Sequence, residues 1–308
     1  MGNQQQVLFG VIASLLAYFI WGLLPLYWKL TEEVGALETL AHRVVWALLF
    51  MLILLLVTRQ LQATFKEIRL IFKKRKTAIA ITAAAVFISI NWFVFIFAVN
   101  SDRVIEASLG YYINPLMNVL LATVFLKEKL SRNEVIAVAF AFVGVVIMTV
   151  YYGYFPWAAF VLALSFCIYG LIKKLVPIGV LTGLTIETLL VAPFAFIYLF
   201  YVYTFGESTV SVMHSPTLTL ILLGSGIATA LPLLLFAYGA KRITFSVIGI
   251  LQYVAPTLML IMGVFIFQEP FSGVQFISFL MIWLGLLIFT TSRMQSTLRL
   301  RKQHAESL

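Results

Sequence analysis

Four small or polar residues recur at every fourth position between residues 104 and 126, in a stretch that is otherwise apolar. They are Glu106, Gly110, Asn114 and Asn118, with Pro115 among them. Because four residues advance about 400° around an α-helix, they lie on one slowly drifting face. A carboxylate and two amides on such a face can bind a polar solute or an ion, and Pro115 frees a backbone carbonyl. Alternatively, the amides only hydrogen-bond between helices and hold a bundle together.

Ionisable residues also cluster after residue 35. Glu38 and His42 are four apart and can share a helix face, and Arg43 follows directly. Arg43 would lie about 12 Å into a membrane helix, too deep for its guanidinium to reach water at the helix end. A buried arginine pairs with a carboxylate or binds an anionic group, which makes Glu106 and Glu187 its candidate partners. The alternative is a purely structural ion pair.

These residue types favour a path for a solute rather than a catalytic centre. We expect the path to be lined by Arg43, His42, Asn91, Glu106, Tyr111, Asn114, Asn118, Gln252 and Tyr253. Candidates for coupling to an ion are Glu38, Glu106 and Glu187, because a desolvated carboxylate holds a proton more tightly. Candidate hinges are Pro115 and Pro256. The aromatic residues that could wall a cavity are Tyr18, Trp21, Trp92, Tyr111, Tyr112, Tyr169 and Tyr253, although most aromatics in membrane helices serve packing.

The composition identifies the elements that must position these residues. Of the 308 residues, 62% are hydrophobic and only 11% are charged, too few to cover the surface of a soluble domain. The single cysteine, Cys167, excludes a disulfide framework. The first apolar run lacks a basic segment before it and a cleavage site after it, so we expect a retained span rather than a signal peptide.

Apolar runs long enough to cross a bilayer core about 30 Å thick predict an all-α membrane protein with ten transmembrane helices. The predicted spans are 7–29, 35–58, 78–99, 104–126, 133–151, 156–172, 179–203, 216–239, 243–267 and 272–291. They fill nearly the whole chain, which leaves no room for a soluble catalytic domain.

The net charge of +9 does not indicate nucleic acid, because the basic residues follow the topology. Of the 21 Lys and Arg residues, 18 fall on the side of the membrane that holds both predicted termini. The opposite side holds only Lys29 and Arg103. By the positive-inside rule both termini are expected in the cytoplasm, with the chain in the plasma (inner) membrane.

The long basic segment 59–77 has a pattern of its own. Phe65, Ile68 and Phe72 recur at helical spacing, and Lys66, Arg69, Lys73 and Lys76 lie on another face. Such a pattern suits a short helix on the anionic inner leaflet of the bilayer. A solvated basic loop is the alternative.

The chain repeats itself at an offset of 141 residues. Residues 112–131, YINPLMNVLLATVFLKEKLS, align with 253–272, YVAPTLMLIMGVFIFQEPFS, so that Tyr112 meets Tyr253 and Pro115 meets Pro256. The first five spans therefore correspond to the second five. Because five is odd, the copies cross the membrane in opposite directions, as in many secondary transporters. We expect repeats at 1–151 and 152–292 and a basic cytoplasmic tail at 293–308.

Several segments, in order along essentially the full chain, also resemble a known family. They are AYFIWG (17–22), HRVVW (42–46), NWFVFIFAVN (91–100), EASLGYYINPLMN (106–118), YGL (169–171) and QYVAPTLM (252–259). With the tandem repeat, they resemble the RarD-type branch of the drug/metabolite transporter superfamily, whose repeat unit is the EamA domain. The resemblance implies a ten-helix inner-membrane transporter, an exporter of small metabolites or drugs, and it supplies no substrate.

We therefore expect alternating-access transport of a small organic solute, coupled to protons rather than sodium. The sequence has no GxxxxGK[ST] loop, so ATP is not expected to drive transport within this chain. A membrane lipid enzyme would need clustered ligands, but Asp102 is the only aspartate and the three histidines are scattered. A structural or sensory membrane protein is the other alternative. No cofactor, metal or nucleic-acid partner is expected, and a homodimer is possible.

Overall fold

The computed structural model describes residues 3–126, 131–176, 178–206, 216–240, 242–243, 247–248 and 251–306, and these residues form helices joined by short connections. The first half contains α1 (Asn3–Lys29), α2 (Ala36–Val57), α3 (Leu61–Lys73), α4 (Arg75–Asn100), α5 (Val104–Leu126) and α6 (Arg132–Tyr152). The second half contains α7 (Trp157–Leu175), α8 (Val180–Phe205), α9 (Pro216–Ala240), α10 (Val254–Ile261), a π-helical turn (Met262–Ile266) and α11 (Gly273–Glu306). The predicted all-α fold is confirmed.

Membrane-spanning character follows from length and apolar composition. In the described chain, seven helices are long and apolar enough to cross a bilayer, namely α1, α2, α4, α6, α8, α9 and α11. Two shorter apolar helical segments cover Trp157–Lys173 and Val254–Ile266. Part of the span predicted at 243–267 lies outside the described residues.

The basic segment after α2 forms a helix, α3, rather than an irregular loop. Ile68 and Ile71 are buried and pack in a cluster with Ile81 of α4 and Ile186 of α8. Phe65, expected on the same apolar face, is 37% exposed to the protein's surroundings. The helix is therefore attached to the bundle by two isoleucines. Its contact with an anionic leaflet stays a prediction.

Contacts between the two halves come in equivalent pairs. By the repeat, α1, α2, α4, α5 and α6 correspond to α7, α8, α9, α10 and α11. α1 packs on α9 as α7 packs on α4, and α1 packs on α10 as α7 packs on α5. α2 also packs on α9 as α8 packs on α4. Three further interfaces, α2–α8, α5–α10 and α6–α11, each join a helix to its own counterpart. This is the contact pattern of two copies related by an approximate two-fold axis, as expected for inverted repeats.

The repeat extends to the hydrogen bonds that begin helices. At the start of α6, the Ser131 N–H donates to Glu134 Oε2 at 2.8 Å, and the Glu134 N–H donates to Ser131 Oγ at 3.3 Å. At the start of α11, Ser272 and Gln275 make the same two bonds at 2.8 and 3.2 Å. Both are capping boxes, which satisfy N–H groups that a helix start leaves unpaired.

Candidate functional site

Arg43 lies on α2 in a cage of tryptophans. Its side chain is buried, with Cζ 4.5 Å from the ring centroid of Trp92 on α4 and 4.9 Å from that of Trp28 on α1. Both rings offer the cation the negative face of an aromatic system. Within the described chain, however, Arg43 Nε and Nη1 have no hydrogen-bond partner. The indole Nε1 of Trp28 is also buried and unpaired. Three donors therefore meet without an acceptor.

The expected ion pair of Arg43 with Glu106 or Glu187 is not formed. Glu106 Oε1 instead accepts the backbone N–H of Ala158 at 2.9 Å, and its Oε2 lies 3.7 Å from Arg103 Nη1. Ala158 is in the first turn of α7, where N–H groups lack partners within the helix. Glu106 thus binds the start of α7 and pairs with Arg103 rather than with Arg43.

Glu187 lies in a second polar cluster, near the end of α7, whereas Glu106 contacts the start of that helix. Its carboxylate, almost fully buried, accepts from Lys173 Nζ at 2.8 Å and from the Tyr169 hydroxyl at 3.2 and 3.3 Å. Lys173 and Tyr169 are both on α7, so the pair fastens α7 to α8. The carboxylate has the burial expected of a coupling candidate, but its partner is a lysine rather than Arg43.

Asn91 and Tyr111 lie near the arginine cage. Asn91 Nδ2 donates to the Leu162 carbonyl at 2.9 Å and to Ser165 Oγ at 3.2 Å, which joins α4 to α7. The Tyr111 hydroxyl donates to Asn91 Oδ1 at 3.5 Å, a long and weak bond. The Tyr111 side chain also lies near the Arg43 charge. The structure therefore brings together Arg43, Trp92, Asn91 and Tyr111.

The polar face of α5 turns away from the interior along its length. Glu106, Gly110 and Asn114 are buried, but Asn118 is exposed, which corrects the expectation of one inward face. Each step of four residues rotates about 40° beyond a full turn, so twelve residues rotate the face by about 120°. Asn114 remains inside, where its backbone and side-chain oxygens accept from Cys167 Sγ at 3.4 and 3.6 Å.

The remaining candidates lie in separate places. His42 Nε2 is 3.2 Å from the Tyr203 hydroxyl on α8, and Glu38, one turn earlier on α2, is buried. Tyr253 stacks on its repeat counterpart Tyr112, with ring centroids 6.5 Å apart and planes 20° from parallel. Gln252 hydrogen-bonds with Tyr253.

The two candidate hinges, Pro115 within α5 and Pro256 within α10, are equivalent by the repeat, and both are buried. Their role as hinges stays a prediction.

Glu269 is a functional candidate that the sequence interpretation missed. Its two carboxylate oxygens accept the backbone N–H groups of Val104 and Ile105 at 2.6 and 2.8 Å, which caps α5 from the other half of the protein. Burial raises the pKa of this carboxyl, and the two backbone hydrogen bonds oppose that shift. The repeat alignment of Glu128 with Glu269 was the sequence signal that could have identified Glu269.

Trp28 was also missed by the sequence interpretation. It lies at the edge of its span, where a tryptophan is ordinarily an interface anchor.

A small cavity lies at this end of the bundle. It has a volume of about 140 Å³ and is lined by residues that include Asp102, Arg103, Glu106, Glu269 and Gln275. Among the residues that the structure describes, no cluster of three or more His, Cys, Asp or Glu side chains could hold a metal ion. The cavity lies between the start of α5 and the start of α11.

Comparison with known proteins identifies the family. The model of the EamA-like transporter family matches residues 8–150. The chain is 46% identical to the "Uncharacterized transporter YojE" of Bacillus subtilis over 93% of its own length and 95% of that protein. It is 38% identical to "Protein RarD" of Escherichia coli over 95% of its own length and 97% of that protein. The chain belongs to the RarD-type branch of the EamA-like transporters.

This RarD-type protein is a multi-pass membrane transporter, and its curated relatives carry transporter or RarD names. A more distant relative, 30% identical over 91% of this chain and 92% of its own, is the "Chloramphenicol-sensitive protein RarD" of Pseudomonas aeruginosa. A crystal structure with 20% identity covers 94% of this chain and 98% of its own, with a TM-score of 0.56. That likeness supports the fold alone.

Proposed function

We propose that this protein is a secondary transporter that exports small metabolites or drugs by alternating access, coupled to protons. The observation that carries the proposal is the equivalence of the contacts between the two halves, in which α1–α9 corresponds to α7–α4 and α1–α10 to α7–α5. When two interfaces are built from equivalent helices, one can open to one side of the membrane while the other is closed, and the two can then reverse these states around a central site. The proposed repeats are 1–151 and 152–292, with a basic tail at 293–308.

Proton coupling is assigned to Glu187. Its carboxylate is 2% exposed and is held by Lys173 and Tyr169, at the interface of α7 with α8. Protonation of the carboxylate would remove its ion pair with Lys173 and so loosen one helix from the other. A group whose charge controls a contact between two helices can link a proton gradient to a change of conformation. Glu38, the equivalent of Glu187, lies on α2 and is buried at the other end.

We propose that the protein lies in the plasma (inner) membrane with both termini in the cytoplasm. Of the 21 Lys and Arg residues, 18 lie on the side of the termini, which supports this orientation by the positive-inside rule. No enzymatic activity is proposed, because the polar clusters of the described chain bind helix ends and one another. Chloramphenicol enters as a test compound because a relative's name contains it.

The test begins with a screen for compounds, chloramphenicol among them, whose efflux differs between a deletion strain and an overexpressing strain. Compounds found in the screen are then measured with purified protein in proteoliposomes that contain a pH-sensitive dye. We expect solute flux to be accompanied by proton flux, and a Glu187→Gln variant to retain solute binding but lose the proton flux. Lys66→Gln, on the exposed part of α3, is the matched control. Solute flux in the wild type that is independent of the pH gradient would refute proton coupling.

A further inference from the structure

The donors around Arg43 form a group without an acceptor. Arginine and the indole of tryptophan carry N–H donors and no acceptor, so neither can satisfy the other. Arg43 Nε, Arg43 Nη1 and Trp28 Nε1 are all buried and unpaired within the described chain. The guanidinium carbon lies 4.9 Å from the centroid of that same indole. Buried donors are ordinarily paired, and an unpaired group of them in a native protein calls for an explanation.

The charge of the cage is also uncompensated. No ion pair joins Arg43 to a carboxylate in the part of the chain that the structure describes. The titratable groups near its charge are the hydroxyls of Tyr111 and Tyr27, which are uncharged at neutral pH. Neither hydroxyl oxygen accepts a hydrogen bond from Arg43 Nε or Nη1, and the hydroxyls themselves donate to the Ile221 carbonyl and to Asn91. Among the described residues, the contacts that the Arg43 guanidinium makes are with the rings of Trp28 and Trp92.

We propose that this cage, formed by Arg43, Trp28, Trp92, Tyr27 and Tyr111, binds the carboxylate of a small organic monoanion as the transported solute. The inference rests on the proposed function, since it names the chemical class of the solute. A carboxylate brings two acceptor oxygens and one negative charge, which match the free donors and the one cation. A phosphate monoester would bring close to two charges to the same single cation, and its desolvation would not be offset.

The aromatic rings around Arg43 indicate the shape and polarity of the part of the solute that lies next to the carboxylate. Trp28 on α1 and Trp92 on α4 have their ring centroids 4.9 and 4.5 Å from Arg43 Cζ. Tyr111 is on α5, and its ring lies 5.9 Å from that of Phe95. Such rings favour a flat apolar group next to the carboxylate. In the conformation described here Arg43 is 4% exposed, so the anion reaches it when α1, α2, α4 and α5 separate during alternating access. The solute is therefore an amphipathic carboxylate.

The test is direct binding to the full-length protein in nanodiscs of zwitterionic lipid, followed by tryptophan fluorescence and calorimetry. The probes are acetate, benzoate and 2-naphthoate, with acetamide, benzamide and 2-naphthamide as neutral matches and phenyl phosphate as the dianion. We expect at least one carboxylate to bind about tenfold more tightly than its amide, and phenyl phosphate to bind more weakly than benzoate.

Three variants separate the cage from the rest of the protein. Arg43→Gln should lose the preference for the carboxylate, and Arg43→Lys should recover only part of it, because an ammonium lacks the planar fork of donors. Arg69→Gln, which removes a guanidinium from the exposed face of α3, should bind like the wild type. Equal binding of amides and carboxylates, tighter binding of phenyl phosphate, unchanged binding in Arg43→Gln, or no carboxylate binding by folded wild-type protein would each overturn the inference.

The outcomes also distinguish this inference from the proposed function. If gradient-driven flux of another compound is found and survives Arg43→Gln, transport stands and the carboxylate assignment fails. If a carboxylate binds through Arg43 but no compound moves under any gradient, the binding site stands and the transport mechanism fails.

Discussion

Gly144 of α6 lies directly against the backbone of Ser278 on α11, and a Cβ placed on Gly144 would stand 2.7 Å from the Ser278 carbonyl oxygen. The repeat-equivalent glycine, Gly285 of α11, has the same relation to Ala137 of α6, at 2.6 Å. Since Ala137 is the repeat equivalent of Ser278, the two contacts are equivalent under the repeat. Small residues allow two membrane helices to approach this closely.

Gly144→Ala and Gly285→Ala should therefore destabilise the protein by similar amounts, about 1–3 kcal/mol each, because the added methyl group forces the backbones apart. Denaturant unfolding in mild detergent measures the free energy. Gly170→Ala is the control, since a Cβ at this helical glycine meets no atom within 4 Å. A large cost at one glycine and none at the other would contradict the symmetric packing.

The ion pair of Lys173 with Glu187 should respond unequally to the loss of each partner. Lys173→Met leaves a carboxylate that is 2% exposed without its cation, and it should cost about 3–5 kcal/mol of unfolding free energy. Glu187→Gln should cost less, because the Lys173 side chain is 23% exposed and its ammonium can reach water.

The double variant Lys173→Met/Glu187→Gln should be more stable than Lys173→Met alone, since it removes the uncompensated charge. Lys66→Met on α3 controls for the loss of a lysine from the exposed surface. Equal costs for the two single variants would show that the burial of Glu187 does not dominate the pair.

Glu269 should make stability depend on pH. Burial raises the pKa of its carboxyl above the ordinary value of 4.5, so the folded protein holds this proton more tightly than the unfolded chain. The resulting stabilisation is present below that ordinary value and is lost as pH rises through the raised pKa. Melting temperatures between about pH 4 and about pH 8 should fall more with pH in the wild type than in Glu269→Gln.

Glu33→Gln, at an exposed position between α1 and α2, serves as the control and should keep the pH dependence of the wild type. Parallel profiles for the wild type and Glu269→Gln would mean that the carboxyl does not titrate within this range. The neutral variant should also loosen the start of α5, because its single oxygen cannot accept from Val104 and Ile105 as two oxygens do.

The orientation can be tested with single cysteines in a Cys167→Ala background. A membrane-impermeant maleimide applied to intact cells should label the Glu32→Cys variant, between α1 and α2, and should leave the Phe65→Cys variant on α3 unlabelled. Disruption of the membrane should expose both, because each position lies outside the buried core. Labelling of both variants in intact cells would refute the cytoplasmic placement of α3.

The helices were predictable because apolar length is a local property of the chain. The span predicted at 104–126 is the helix Val104–Leu126, and the spans predicted at 35–58 and 78–99 differ from α2 and α4 by one to three residues. The repeat predicted which helices are equivalent, and the stacked pair Tyr112–Tyr253 follows from it. The prediction that Asn118 lies inside was wrong. Its spacing of four continues that of the buried residues, but each step of four turns the side chain about 40° further around α5.

The sequence by itself determined the membrane class, an internal repeat and the presence of ionisable groups within apolar stretches, because composition, run length and internal alignment can be read from the order of the residues alone. Only the tertiary structure decided the partners. Glu106 and Glu187 were both candidate partners of Arg43. Glu106 instead accepts from the start of α7, and Glu187 pairs with Lys173, because helix ends and nearby cations compete for the same carboxylates. Arg43 packs between the rings of Trp28 and Trp92, and its Nε and Nη1 have no hydrogen-bond acceptor among the described residues. That arrangement depends on how α1, α2 and α4 pack together.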